Sequence, residues 1–97
     1  MLIRTVRMTF KPQEVDNFLK VFDTSKDKIR GFEGCTHLEL LKDYNDPSVF
    51  STYSIWQDEA ALNRYRHSDL FKEVWAQTKP RFSQKPIAFS SKKYIEV

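Results

Sequence analysis

Glycine and cysteine are scarce in this chain: its 97 residues include two of the first and one of the second. The two glycines, Gly31 and Gly34, sit close together and follow a helical stretch, so no glycine-rich loop exists to cradle a phosphate or a dinucleotide. One cysteine, Cys35, permits no intramolecular disulfide and suits a reducing compartment. Cys35 with the two histidines, His37 and His67, forms no local metal-ligand set, since the three do not cluster in the chain. No run approaches the roughly 20 apolar residues of a membrane span. The opening Met-Leu-Ile-Arg-Thr-Val-Arg is broken by Arg4 and Arg7, leaving no signal-peptide core. The expectation is a cytoplasmic protein with no membrane partner, no metal and no cofactor. Charge of either sign is also unconcentrated. Sixteen Lys and Arg against thirteen Asp and Glu give +3, spread along the length, where nucleic-acid binding usually needs a basic patch.

What is abundant is aromatic: eight Phe, four Tyr and two Trp. A chain of this length buries roughly 60 to 65% of its extended surface, enough for one core, and residues 1–97 read as a single domain. The stretch Ser48–Trp75 organises it, because its hydrophobic period changes partway. Val49, Ser51, Tyr53 and Ile55 alternate with Phe50, Thr52, Ser54 and Trp56 as in a strand. After Asp58 the spacing turns helical. Ala61, Leu62 and Tyr65 share one face, and Ser68, an N-cap, restarts a helix with Leu70, Phe71, Val74 and Trp75 on its apolar side.

The rest falls around that stretch. Val6, Met8 and Phe10 alternate with Arg7 and Thr9 in a first strand ending near Lys11. Pro12 suits a first helical turn, and Val15, Phe18, Leu19, Phe22 and Ile29 continue a long helix with Lys26, Lys28 and Arg30 near its end. Gly31 and Gly34 predict a C-cap and a tight turn, Cys35–Lys42 a second strand, and Asp43–Pro47 a hairpin turn. Pro80 ends the last helix by Thr78, and residues 87–97 predict a fourth strand.

Strand, helix, strand, strand, broken helix, strand is the order of an α+β ferredoxin-like split βαβ sandwich, a four-stranded antiparallel sheet with helices on one face. The other face needs a cover. Ile3, Leu41 and Phe50 are expected to line it, and a second copy of the chain is the simplest cover, which predicts a homodimer. RNA-binding platforms share this order of elements, but strand three here lacks the basic-Gly-aromatic start of their motif and strand one lacks a matching aromatic.

Trp56, Tyr53, Tyr65, Phe71 and Trp75 lie where strand three meets the broken helix. They read either as plain core or as the walls of a flat slot for a planar aromatic molecule, their O–H and N–H groups needing partners. Trp56 followed by Ala61-Leu62, Tyr65, Ser68 and Phe71 resembles the antibiotic biosynthesis monooxygenase (ABM) domain, a member of the dimeric α/β-barrel superfamily. The Gly31-Phe-Glu-Gly-Cys35 turn into Leu38 and Glu39, and Lys85-Pro86 before the last strand, are similar too. The resemblance implies a homodimer of ferredoxin-like subunits whose sheets close into a barrel, with a pocket between sheet and helices in each.

It also implies a cofactor-independent monooxygenase acting on a phenol, hydroquinone or anthrone. Trp56 and Trp75 would wall the slot, Tyr53 and Tyr65 would donate to an oxyanion, Phe71 would contact the substrate, and His37 is the candidate base. Haem-degrading members carry a helix-three histidine and a strand-one asparagine; Trp75 and Val6 stand there in this chain, which argues against haem degradation. Quinol-oxidising members often carry a glutamate and a histidine where this chain has Ser54 and Tyr65, so a proton acceptor must be Tyr65, His37 or a water. A dimeric barrel without turnover, binding a small molecule or associated with stress, is the alternative from another class.

Overall fold

A computed structural model describes all of residues 1–97. Strands β1 (Leu2–Thr9), β2 (Cys35–Lys42), β3 (Val49–Trp56) and β4 (Ile87–Ser91) form one antiparallel sheet in the order β2-β3-β1-β4, with helices α1 (Val15–Arg30), α2 (Glu59–Arg66) and α3 (Asp69–Thr78) on one face. This is the α+β ferredoxin-like arrangement. Pro12 opens a single 3₁₀ turn, Pro12–Glu14, before α1 proper begins.

Register decides which side chains meet the helices. Arg4, Val6 and Met8 of β1 stand opposite Ser54, Thr52 and Phe50 of β3, and these in turn opposite Leu38, Leu40 and Lys42 of β2. Because successive strand residues point to opposite faces, this even-numbered set lies under the helices, while Ile3, Thr5, Arg7, Ser51, Tyr53 and Ile55 lie on the open side. Phe50 is therefore corrected from the open face to the covered one. It is buried and packs with Met8, Phe10 and Phe18. Ile3 and Leu41 do belong to the open face.

A bulge between Cys35 and His37 resets the alternation of β2. Cys35 and His37 would share a face in a regular strand. Instead Cys35 pairs with Trp56 and is buried under the helices, whereas His37 pairs with Ile55 and is exposed. The fourth strand is shorter than predicted. Ser91 already stands opposite Ile3, so β1 has almost no partner left to offer, and Lys92–Val97 carries no strand structure.

The helix break has a local cause. The Ser68 hydroxyl donates to the Tyr65 carbonyl at 2.6 Å, closing α2, and accepts from the Phe71 amide at 3.1 Å, opening α3. Asp58 caps α2 in the same way through the Ala61 amide at 2.8 Å. Under the helices the core forms two groups. Met8, Phe10, Phe18 and Phe50 make one, with Phe10 and Phe18 stacked at 4.1 Å. Ile29, Cys35, Trp56, Ala61, Leu62 and Tyr65 make the other. No helix is long and apolar enough to cross a membrane.

Candidate functional site

Between the two core groups lies a cavity of about 370 Å³, within the size range of small-molecule sites. Met8 and Phe18 reach it from one group, Trp56, Leu62 and Tyr65 from the other. Its floor is the covered face of the sheet, and its roof is α1 and the broken helix.

Aromatic rings form a continuous ladder along one wall. Trp56 stacks on Tyr65 at 5.0 Å, Tyr65 meets Phe71 edge to face at 5.2 Å, and Phe71 stacks on Trp75 at 5.7 Å. The two stacked pairs hold their rings flat on one another, and the edge contact between Tyr65 and Phe71 sets one pair across the other. Trp56 is 1% exposed and its Nε1 donates to Ser54 Oγ at 3.0 Å. Ser54 in turn donates to the Arg4 carbonyl at 3.4 Å, so the indole is tied through one hydroxyl to the neighbouring strand. Phe71 and Trp75 are only half-buried. The plain-core reading thus holds for Trp56 and Tyr65 in their packing, yet all four rings also border open space.

Tyr65 is the one phenol at this wall. Burial pushes its hydroxyl well above the ordinary tyrosine range, and the nearby Cys35 adds to the shift. It stays protonated at neutral pH, so it can donate a hydrogen bond but cannot serve as a base. Cys35 itself is buried and its thiol is raised by burial, which makes it a poor nucleophile.

His37 and Tyr53 are not brought to this cavity. Both stand on the open face of the sheet, where their rings meet edge to face at 6.1 Å and His37 Nε2 lies 3.4 Å from Glu39 Oε1. Of the residues expected at the site, Trp56, Tyr65, Phe71 and Trp75 converge and these two do not. His67 is exposed at the end of α2, its Nδ1 2.7 Å from the Asn63 carbonyl. No three His, Cys, Asp or Glu side chains gather as a metal-ligand group.

The two charged cavity residues escaped the sequence reading. Arg4 and Arg66 both line the space, from the middle of β1 and the end of α2. One signal was available: Arg4 interrupts the apolar side of β1 otherwise made by Leu2, Val6 and Met8. Nothing in the sequence announces that Arg66 meets it.

The family model of the antibiotic biosynthesis monooxygenases matches residues 1–77, which covers the first three strands, α1, α2 and all but the last residue of α3. The chain belongs to that family. Solved structures agree in fold. The ABM chain is similar to an antibiotic biosynthesis monooxygenase at TM-score 0.91 and 22% identity, over 98% of this chain and 100% of the other. It is similar to a conserved protein from Methanosarcina mazei Go1 at TM-score 0.90 and 22% identity, covering 97% and 94%. Rv0793 from Mycobacterium tuberculosis follows at 0.88 and 16%, covering 98% and 96%. No curated protein matches the sequence. At these identities the structural likeness speaks for the ferredoxin-like fold alone.

Proposed function

We propose that this ABM protein is a monooxygenase acting on a small, electron-rich planar aromatic of the phenol, hydroquinone or anthrone type, and that it works as a homodimer. The observation that carries the reading is the ring-walled cavity in a chain of this family. A planar molecule seated in it would meet the apolar surfaces of Trp56 and Trp75, with Phe71 lining the space beside Trp75 and the Tyr65 hydroxyl as donor to a developing oxyanion.

The chemistry asks little of the protein. An anionic hydroquinone or anthrone passes one electron to dioxygen, and the resulting superoxide and substrate radical join in a carbon–oxygen bond. The hydroperoxide then loses water: one oxygen atom stays on the substrate as a carbonyl, and the other leaves with two substrate hydrogens. Substrate is oxidised and dioxygen reduced, with the substrate as the only electron donor. The enzyme's share is to bind, orient and stabilise the anion in a site that excludes bulk water. Tyr65 suits the donor role because its raised hydroxyl stays protonated at neutral pH.

Oxygen uptake with a panel of hydroquinones and anthrones tests the reading. A rate above uncatalysed autoxidation that falls roughly a hundred- to a thousandfold in Tyr65→Phe is expected for loss of one oxyanion donor. Binding without any uptake above autoxidation would instead support a barrel that holds an aromatic without turning it over.

A further inference from the structure

We infer that the aromatic taken into this cavity carries an oxyanion, a carboxylate or phenolate, on one edge, and that Arg4 and Arg66 select it. The inference rests on the reading that the cavity holds an aromatic substrate.

Nineteen residues line the space, and the only charged ones among them are these two arginines. No Asp or Glu answers them. The ion pairs of the molecule use other residues: Arg7 with Asp43, Lys26 with Asp23, Arg81 with Glu14 and Lys93 with Glu96. Arg4 Nη1 donates to the Ser90 hydroxyl at 3.1 Å, a neutral acceptor that leaves most of the five guanidinium N–H donors free. Arg66 is exposed at the end of α2 and Arg4 is half-buried beneath it, so the pair marks the wet end of an otherwise apolar chamber.

Two like charges facing one cavity are an unfavourable arrangement until an anion joins them. Burial holds the Arg4 guanidinium below its ordinary range, and the charge of Arg66 lowers it further. An oxyanion between them would answer both charges, and the planar guanidinium fork fits a carboxylate with two parallel hydrogen bonds.

The same placement resolves a chemical gap. The cavity holds no His, Asp, Glu or Lys, and Tyr65 does not ionise near neutral pH, so no side chain there can take the substrate's proton. Two nearby positive charges depress the pKa of a bound phenol, which lets it release its proton to water. Arg4 and Arg66 are thus binding residues whose charge replaces the missing base.

The test uses the full chain and three probes: 2-naphthoate, its neutral counterpart 2-naphthalenemethanol, and 2-naphthol on both sides of its own ionisation, each titrated by calorimetry. Naphthoate is expected to bind roughly ten- to a hundredfold tighter than the alcohol, the range of a charge-assisted hydrogen bond, with the advantage shrinking as salt rises. Naphtholate tighter than naphthol assigns a phenolate as well as a carboxylate; equal affinity restricts the site to carboxylates. Arg66→Gln, at an exposed helix end, is expected to reduce the preference and Arg4→Gln to reduce it further, with circular dichroism and the thermal midpoint confirming that each folds. Equal affinity for naphthoate and the alcohol in the wild-type protein overturns the inference and leaves an aromatic cavity. A preference that survives both substitutions overturns the assignment to these arginines. Failure of every ring to bind overturns the aromatic reading and this inference with it.

Discussion

Gly34 and Gly31 look interchangeable in the sequence but are not. Gly34 has φ +89°, in the left-handed region where side chains are strained, and a Cβ built on it would fall 2.4 Å from the Ala61 Cβ. That contact seats the turn before β2 directly against the first turn of α2, beside Trp56. Gly31 has φ −83°, and its amide donates to the Asp27 carbonyl at 2.9 Å, so it caps α1 without needing glycine's freedom. Gly34→Ala is accordingly expected to lower stability by about 2 kcal/mol or more, whereas Gly31→Ala stays within about 1 kcal/mol. Urea unfolding of the two variants side by side checks this, and equal losses would contradict it. The sequence shows that a turn is needed here. It does not show which glycine bears the strain, because that depends on how closely α2 approaches.

Elements here are held together at a few long-range points. One joins the start of α1 to the turn after α3: Glu14 Oε1 accepts from Arg81 Nη1 at 2.5 Å, and also from Asn17 Nδ2 at 2.9 Å. The hydrogen bonds from Asn17 and then Arg81 hold the Glu14 carboxyl below its usual value near 4.5. A depressed folded-state value means that the unfolded chain takes up the proton first. The stabilisation is therefore present in full above the ordinary glutamate range and is lost as pH falls through the lower folded value. Thermal midpoints measured from neutral pH down to about pH 3 are expected to fall more steeply in the wild-type protein than in Glu14→Gln, where the group cannot titrate. Parallel curves would remove Glu14 from the acid-side loss. At this scale much was legible. The order of strands and helices followed from periodicity, and the helix break from Ser68. Alternation also separates Tyr53 from Trp56, since odd and even positions of β3 face opposite ways; grouping them by nearness in sequence put Tyr53 in the wrong layer. The reversal at His37 was not legible, because the bulge that turns it outward leaves no mark in composition. Nor was the meeting of Arg4 with Arg66, which only the packing of α2 over β1 creates.

The whole molecule has one covered sheet face and one bare one. The bare face carries Ile3, Tyr53 and Ile55 at its centre, with Leu41 44%, Ile87 56% and Phe89 49% exposed toward its edges. Aliphatic and aromatic side chains spread across a sheet are costly to leave in water, and a two-fold axis through that face would bury the same patch on both copies. In such a dimer His37 and Tyr53, which stand on the bare face and not in the cavity behind the sheet, would lie at the subunit interface, Tyr53 supplying area and His37 a polar group. The prediction is a dimer in dilute solution, by sedimentation or light scattering. Phe89→Glu, opposite Thr5 on the exposed strand β4, would put a carboxylate into that contact and is expected to weaken the dimer by about thirtyfold or more, the effect of losing an aromatic anchor. Because Phe89 points away from the helices, the variant's tryptophan emission, set by Trp56 and Trp75 on the covered side, should stay unchanged. A wild-type chain that sediments as a single copy would instead show that this sheet tolerates water, and the homodimer would fall while the cavity behind it stood.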